Sequence, residues 1–181
     1  FDGRTSMVRT QGGGTAPLGY HSDLDGSLLP EVGAAWSSQR PGTFRFPGNA
    51  YAQYDFRRTI GPLAQRQSLS FQGQSGVLAF GFDEFVAMAG EMGVPPADLQ
   101  IMVTIYPGAT FSDPAALAAD WVEYCNAPAD GSNPGGGTDW AAARAAYGHP
   151  APYGIRYWNI GNEPWTPSEF NFDPAPYVAV A

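Results

Sequence analysis

One nearly continuous apolar run constrains this chain more than any other feature, LQIMVTIY at 99–106, and IRYWNIG at 155–161 reads as a further buried strand. Strands exposed on one face alternate apolar with polar residues, whereas a strand covered on both faces of a parallel sheet reads as an unbroken Val/Ile/Leu-type run. Parallel neighbours cannot be joined by a tight turn, so each needs a crossover, usually a helix. The sequence supplies such helices. In DEFVAMAGEMG (83–93), Phe85, Met88, Ala89 and Met92 recur at i, i+3, i+4 and i+7, behind an acidic first turn and ahead of a closing glycine. Asp113-Pro114 opens a second helix with Leu117, Trp121, Tyr124 and Cys125 on one face. TDWAAARAAYG (138–148) gives a shorter third before the His149-Pro150 turn. Upstream, PEVGAAWSSQR (30–40) reads as a helix and TFRFP (43–47) as a short aromatic strand ended by proline.

Strands alternating with helices define an α/β fold with a parallel sheet. The segments that follow the strands are longer and chemically richer than those that precede them. That is the layout of a (β/α)8 TIM barrel, which builds its active site at the C-terminal strand ends. A complete barrel takes about 250 residues. The 181 residues here therefore predict its N-terminal half, with about four parallel strands and flanking helices forming one partial catalytic domain over 1–181. Such a half is expected to be inactive alone, and its open sheet edges to favour association with other copies. The stretch from Pro47 to Phe80 reads as one long loop that helps build a binding site.

Charge and composition remove several function classes. The net charge is −8, carried against nine arginines and no lysine. Nucleic-acid binding draws on clustered basic residues, which are missing. Without lysine there is no P-loop lysine, no Schiff base and no pyridoxal-phosphate anchor, and no cofactor is expected. Gly12-Gly13-Gly14 follows no strand and so reads as a loop rather than a phosphate cradle. Cys125 is the sole cysteine and sits on an apolar helix face, as a buried structural thiol does. His21 and His149 are too few and too separate for a metal site. No Gly-x-Ser-x-Gly elbow is present. No run reaches the roughly 18 apolar residues of a membrane span. Phe1 begins the chain without a charged-then-apolar leader, which leaves cytoplasmic and secreted locations both open.

The string that carries chemistry is Tyr157-Trp158-Asn159-Ile160-Gly161-Asn162-Glu163-Pro164-Trp165. Polar groups appear where the apolar strand runs out. Glycoside hydrolysis needs a protonated carboxyl beside the leaving oxygen, and a glutamate at a hydrophobic strand end between tryptophans can have its pKa raised enough to supply that proton. Glu163 is therefore the candidate acid/base, against the plainer reading of a surface glutamate after a core strand. Asn162 offers a donor and an acceptor to a sugar hydroxyl. In an ideal strand Asn162 and Glu163 point to opposite faces, so the backbone must leave strand geometry near Gly161 for both to reach one substrate. Arg45, charged in an aromatic strand, suits either a catalytic carboxylate or a structural salt bridge. Trp165 suits either sugar stacking or packing, and Tyr106 is a weaker candidate of the same kind. Tyr51, Tyr54 and Phe56, in the long loop, suit sugar stacking.

FRFPGN (44–49), IGP (60–62), GFDEF (81–85), WVEYCN (121–126), GHPAPYG (148–154) and YWNIGNE (157–163) occur in an order that resembles glycoside hydrolase family 51 and its clan A relatives, over roughly residues 42–165. The resemblance implies a (β/α)8 barrel acting with retention through two glutamates and no metal. It matches Glu163 to the acid/base, Asn162 to the asparagine that binds the sugar 2-hydroxyl, and Arg45 and Asn49 to residues lining the catalytic pocket. The nucleophilic glutamate belongs to the family's seventh strand, to which nothing in these 181 residues corresponds. The implied partner is a carbohydrate bearing arabinose or xylose, and the implied activity is that of an α-L-arabinofuranosidase acting on hemicellulose or its oligosaccharides. Pro-Gly-Asn replaces the family's Pro-Gly-Gly-Asn, Arg66-Gln67 stands where Arg-Pro is usual, and residues 1–29 match poorly. A β-xylosidase-like activity and a non-catalytic carbohydrate-binding relative are the alternatives.

Overall fold

The computed structural model describes residues 7–8, 30–47, 54–71, 74–103 and 113–161. In chain order these form β1 (Met7–Val8), α1 (Pro30–Ser38), β2 (Arg45–Phe46), β3 (Leu69–Phe71), β4 (Gln74–Leu78), α2 (Phe82–Glu91), β5 (Gln100–Val103), α3 (Pro114–Asn126), α4 (Trp140–Ala146) and β6 (Tyr157–Ile160). Strands β2, β5 and β6 make a three-stranded parallel sheet in that order, with β5 in the middle. A second sheet, in the order β1-β4-β3, is antiparallel. The described part is thus an α/β unit with three parallel strands.

Local chemistry sets the helix starts. Asp113 accepts from the Ala116 amide at 2.9 Å ahead of Pro114, whose missing N–H costs nothing at a first helical position. Asp139 caps α4 through the Ala142 amide at 2.7 Å. At α2 the Glu84 carboxylate reaches back to the Gly81 amide at 2.8 Å. Helices α2 and α3 then bury the faces their periodicity predicts: Phe85, Met88, Ala89 and Met92 on one, with Val86 buried beside them, and Leu117, Trp121, Tyr124 and Cys125 on the other.

Those faces meet one side of the parallel sheet. Phe46 stacks on Phe85 with ring centroids 4.7 Å apart, and Trp158 meets Trp121 edge-on at 6.3 Å. Phe46, Ile101 and Trp158 lie side by side in register, so they form one row on the helix side. The preceding row, Arg45, Gln100 and Tyr157, therefore faces the other way, and there Arg45 is exposed and Tyr157 is 50% exposed. Ile101, Met102 and Val103 of the middle strand are all buried, as the unbroken apolar run requires, whereas β6, expected to be buried, is exposed at Tyr157 and only part-buried from Trp158 to Ile160, because it has a neighbour on one side only among the described strands. Each aromatic buried in such a core stabilises the fold by about 1.5–3 kcal/mol. Among the described residues, no helix is long and apolar enough to cross a membrane.

One expectation is overturned. Between Pro47 and Phe80 the described residues are not a structureless loop: they hold two 3₁₀ turns, Phe56–Arg58 and Leu63–Gln65, followed by the β3–β4 hairpin. Tyr54 and Phe56 are not sugar platforms either, because both rings are buried in the core against Trp121 at 5.5 and 5.2 Å. Tyr51 lies outside the described residues.

Candidate active site

Gly161 is the pivot between fold and chemistry. Its amide still donates to the Val103 carbonyl at 3.0 Å, continuing the parallel ladder one step past β6. Its φ is +73°, a left-handed value that glycine adopts freely and other residues rarely do. Extended geometry therefore ends at this residue, the position where the sequence predicts a departure from strand geometry. Asn162, Glu163 and Trp165 themselves lie outside the described residues, as do Asn49 and Tyr106.

Arg45 is described. It opens β2, is level in register with Gln100 and Tyr157, and shares their face of the sheet, away from the helices. On that face one residue further along, Asn159 donates to the Gln100 side-chain oxygen at 3.3 Å. The row of Arg45, Gln100 and Tyr157 is polar, in contrast to the row of Phe46, Ile101 and Trp158 behind it, and the next row on that face pairs Asn159 with the buried Met102.

The other motif segments converge beneath the sheet. Asp83, the second residue of α2, is buried and accepts from the Tyr124 hydroxyl at 3.0 and 2.9 Å and from the Tyr153 hydroxyl at 2.8 Å. Burial, with the Asp83 charge adding to it, pushes both phenols well above the usual tyrosine range, so they remain protonated donors. Glu123 accepts from the Trp140 amide at 3.0 Å and so ties α3 to the start of α4. Asn126 donates to the Ile155 carbonyl at 2.9 Å, while the Cys125 carbonyl accepts from the Tyr153 amide at 2.8 Å. Burial also raises the Cys125 thiol pKa, which keeps it neutral and unreactive.

Arg144 completes this support. It is fully buried in α4, and its guanidinium donates to the carbonyls of Tyr124, Ala127, His149 and Pro150 at 2.5, 2.8, 2.9 and 3.4 Å. Arg66, almost wholly buried, bridges the Gly61, Leu78 and Ala79 carbonyls and pairs with Glu84 at 2.6 Å. A sequence signal for these residues did exist. Arg144 stands inside an alanine-rich helix, and Asp83 adjoins an apolar helix face, where charge is costly unless it is hydrogen-bonded. His149 packs its ring on Tyr153 at 5.5 Å, and no three His, Cys, Asp or Glu side chains gather as a metal site among the described residues.

Comparison with known proteins agrees with this organisation. Residues 36–177 match the family described as Alpha-L-arabinofuranosidase 1 domain. The chain is 35% identical over 127 residues to the probable alpha-L-arabinofuranosidase C of Aspergillus clavatus, an alignment covering 68% of this chain and 22% of the relative. The crystal structure of an alpha-L-arabinofuranosidase from Thermotoga maritima in an arabinose complex superposes with a TM-score of 0.64 at 28% identity, covering 83% of this chain and 28% of that one. The thermostable GH51 alpha-L-arabinofuranosidase of Thermotoga petrophila superposes with a TM-score of 0.65 at 29% identity, covering 84% and 29%. The chain thus spans roughly a quarter of the length of the proteins it resembles. By the match over 36–177, this chain belongs to the Alpha-L-arabinofuranosidase 1 domain family.

Proposed function

We propose that this chain is the acid/base-bearing N-terminal half of a (β/α)8 barrel in a retaining α-L-arabinofuranosidase. The observation that carries the reading is the end of β6 at Gly161, where a left-handed residue closes an apolar parallel strand immediately before Asn162-Glu163. Glu163 protonates the departing glycosidic oxygen and then, as its conjugate base, deprotonates the incoming water. A glutamate supplied by sequence beyond these 181 residues attacks the anomeric carbon, its carboxyl standing about 5 to 5.5 Å from that of Glu163, as a covalent double displacement requires. Asn162 binds the sugar 2-hydroxyl, Arg45 and Asn49 line the pocket, and Trp165 stacks on the sugar. The substrate is an arabinofuranosyl-bearing oligosaccharide or polysaccharide, in keeping with the names of the relatives.

Leaving-group dependence tests the role of Glu163. In the full-length parent, Glu163→Gln is expected to lower kcat/KM by about 10²- to 10⁴-fold on alkyl arabinofuranosides, whose leaving groups need a proton. Dinitrophenyl arabinofuranoside, whose leaving group departs unaided, should lose less than about tenfold in kcat/KM. An equal loss on both would remove Glu163 from the role.

A further inference from the structure

Residue Asp83 sits at the buried junction of α2, α3 and the segment that leads into β6, and its three hydrogen bonds divide between two destinations. Those from Tyr124 join α2 to α3. The one from Tyr153, at 2.8 Å, reaches a residue only four positions ahead of the start of β6. Hydrogen bonds already tether that lead-in to α3: the Tyr153 amide donates to the Cys125 carbonyl, and the Asn126 side chain donates to the Ile155 carbonyl. On the far side, Arg156 is held to Ala97 and to Asp98, the latter at 2.6 Å. The phenol–carboxylate bond adds the tie to α2, the helix that packs directly on β2 through Phe85 and Phe46.

A strand in a hydrogen-bonded ladder transmits displacement along its length. Strand β6 is paired residue for residue with β5 from Tyr157 to Ile160, and Gly161 extends the pairing. Each residue advances the chain by about 3.3 Å, so a small shift where β6 begins reappears at its C-terminal end. We infer that Asp83 is a positioning residue: through the Tyr153 hydroxyl it fixes how far β6 advances past β5, and hence where Glu163 meets the glycosidic oxygen. This inference rests on the acid/base role proposed for Glu163. A misplacement of about 1 Å at reacting groups costs on the order of a hundredfold in rate, so the bond matters for chemistry well beyond its share of stability.

Tyr153→Phe deletes the hydroxyl and keeps the ring, which packs on Phe82, Tyr124 and His149. In the full-length parent, kcat/KM is measured on methyl arabinofuranoside, which needs the proton, and on dinitrophenyl arabinofuranoside, which does not. Tyr153→Phe is expected to lower the methyl-to-dinitrophenyl ratio about tenfold or more, and Asp83→Asn to lower it in the same direction. Loss of folded protein cannot mimic this, because it reduces both rates by one factor. Tyr124→Phe removes a hydroxyl from the same carboxylate without touching the lead-in to β6, so it should lower Tm and leave the ratio within about twofold. An unchanged ratio in Tyr153→Phe and Asp83→Asn, alongside a lowered ratio in Glu163→Gln, overturns the positioning role and spares the acid/base. An equal fall of the ratio in Tyr124→Phe and Tyr153→Phe also overturns it, by making the effect one of the general core. An unchanged ratio in Glu163→Gln removes both.

Discussion

Arg144 shows how much a single side chain can organise. A guanidinium has five N–H donors in a fixed fork, and here four carbonyls from the end of α3 and the His149-Pro150 turn receive them. Those carbonyls belong to a chain reversal that no regular ladder could satisfy. Replacing Arg144 by Met preserves much of the volume and leaves several buried acceptors unpaired, each costing about 1–3 kcal/mol. Unfolding by urea should therefore show a loss of at least about 3 kcal/mol with an unchanged m-value. A loss below about 1 kcal/mol would mean that water reaches these carbonyls and that the arginine is not their essential partner.

At the scale of elements, two glycines at opposite ends of α2 make contrary demands. A Cβ on Gly81 would collide with the Thr59 carbonyl oxygen, so the approach of α2 to the turn at 56–59 needs a residue with no side chain. A Cβ on Gly90, inside the helix and exposed, would meet nothing within 4 Å. Gly90→Ala should therefore stabilise by about 0.5–1 kcal/mol, while Gly81→Ala should destabilise by more than about 2 kcal/mol. Thermal unfolding of the two variants, run side by side, checks both signs. Helices α2, α3 and α4 are legible in the sequence because their apolar residues repeat at 3.6, β5 because its apolar run is nearly unbroken, and β6 because aromatic and β-branched residues surround Asn159 ahead of a glycine. The β3–β4 hairpin is not, since Ser70, Gln72, Gln74, Ser75 and two glycines dilute the alternation that marks a strand. Tyr54 and Phe56 misled for a related reason: an aromatic in an irregular segment looks available for a ligand, whereas here the segment folds under α3 and buries both rings. The need for a backbone break at Gly161 was legible, because two adjacent polar side chains on an ideal strand cannot face one site. That Asp83 needs partners was legible from its place beside an apolar helix face, but not that they are Tyr124 and Tyr153, 41 and 70 positions away.

On the scale of the whole molecule, the three parallel strands separate two kinds of surface. Their helix side is an aromatic core, and their other side carries Arg45, Gln100 and Tyr157 in one row at the strand starts and Asn159 beside Met102 in the next. The motif segments below the sheet hold β6 in place, and the residues after it carry the proposed chemistry. The chain covers 22% of the Aspergillus relative, so activity is to be sought in the parent protein. Azide rescue tests the acid/base assignment most directly, because azide attacks a glycosyl-enzyme intermediate without needing a base. In the parent carrying Glu163→Ala, with dinitrophenyl arabinofuranoside as substrate, added azide should restore turnover and yield an arabinofuranosyl azide of the substrate's own anomeric configuration. Near-normal hydrolysis without azide, and no azide adduct in its presence, would contradict the placement of the acid/base at Glu163.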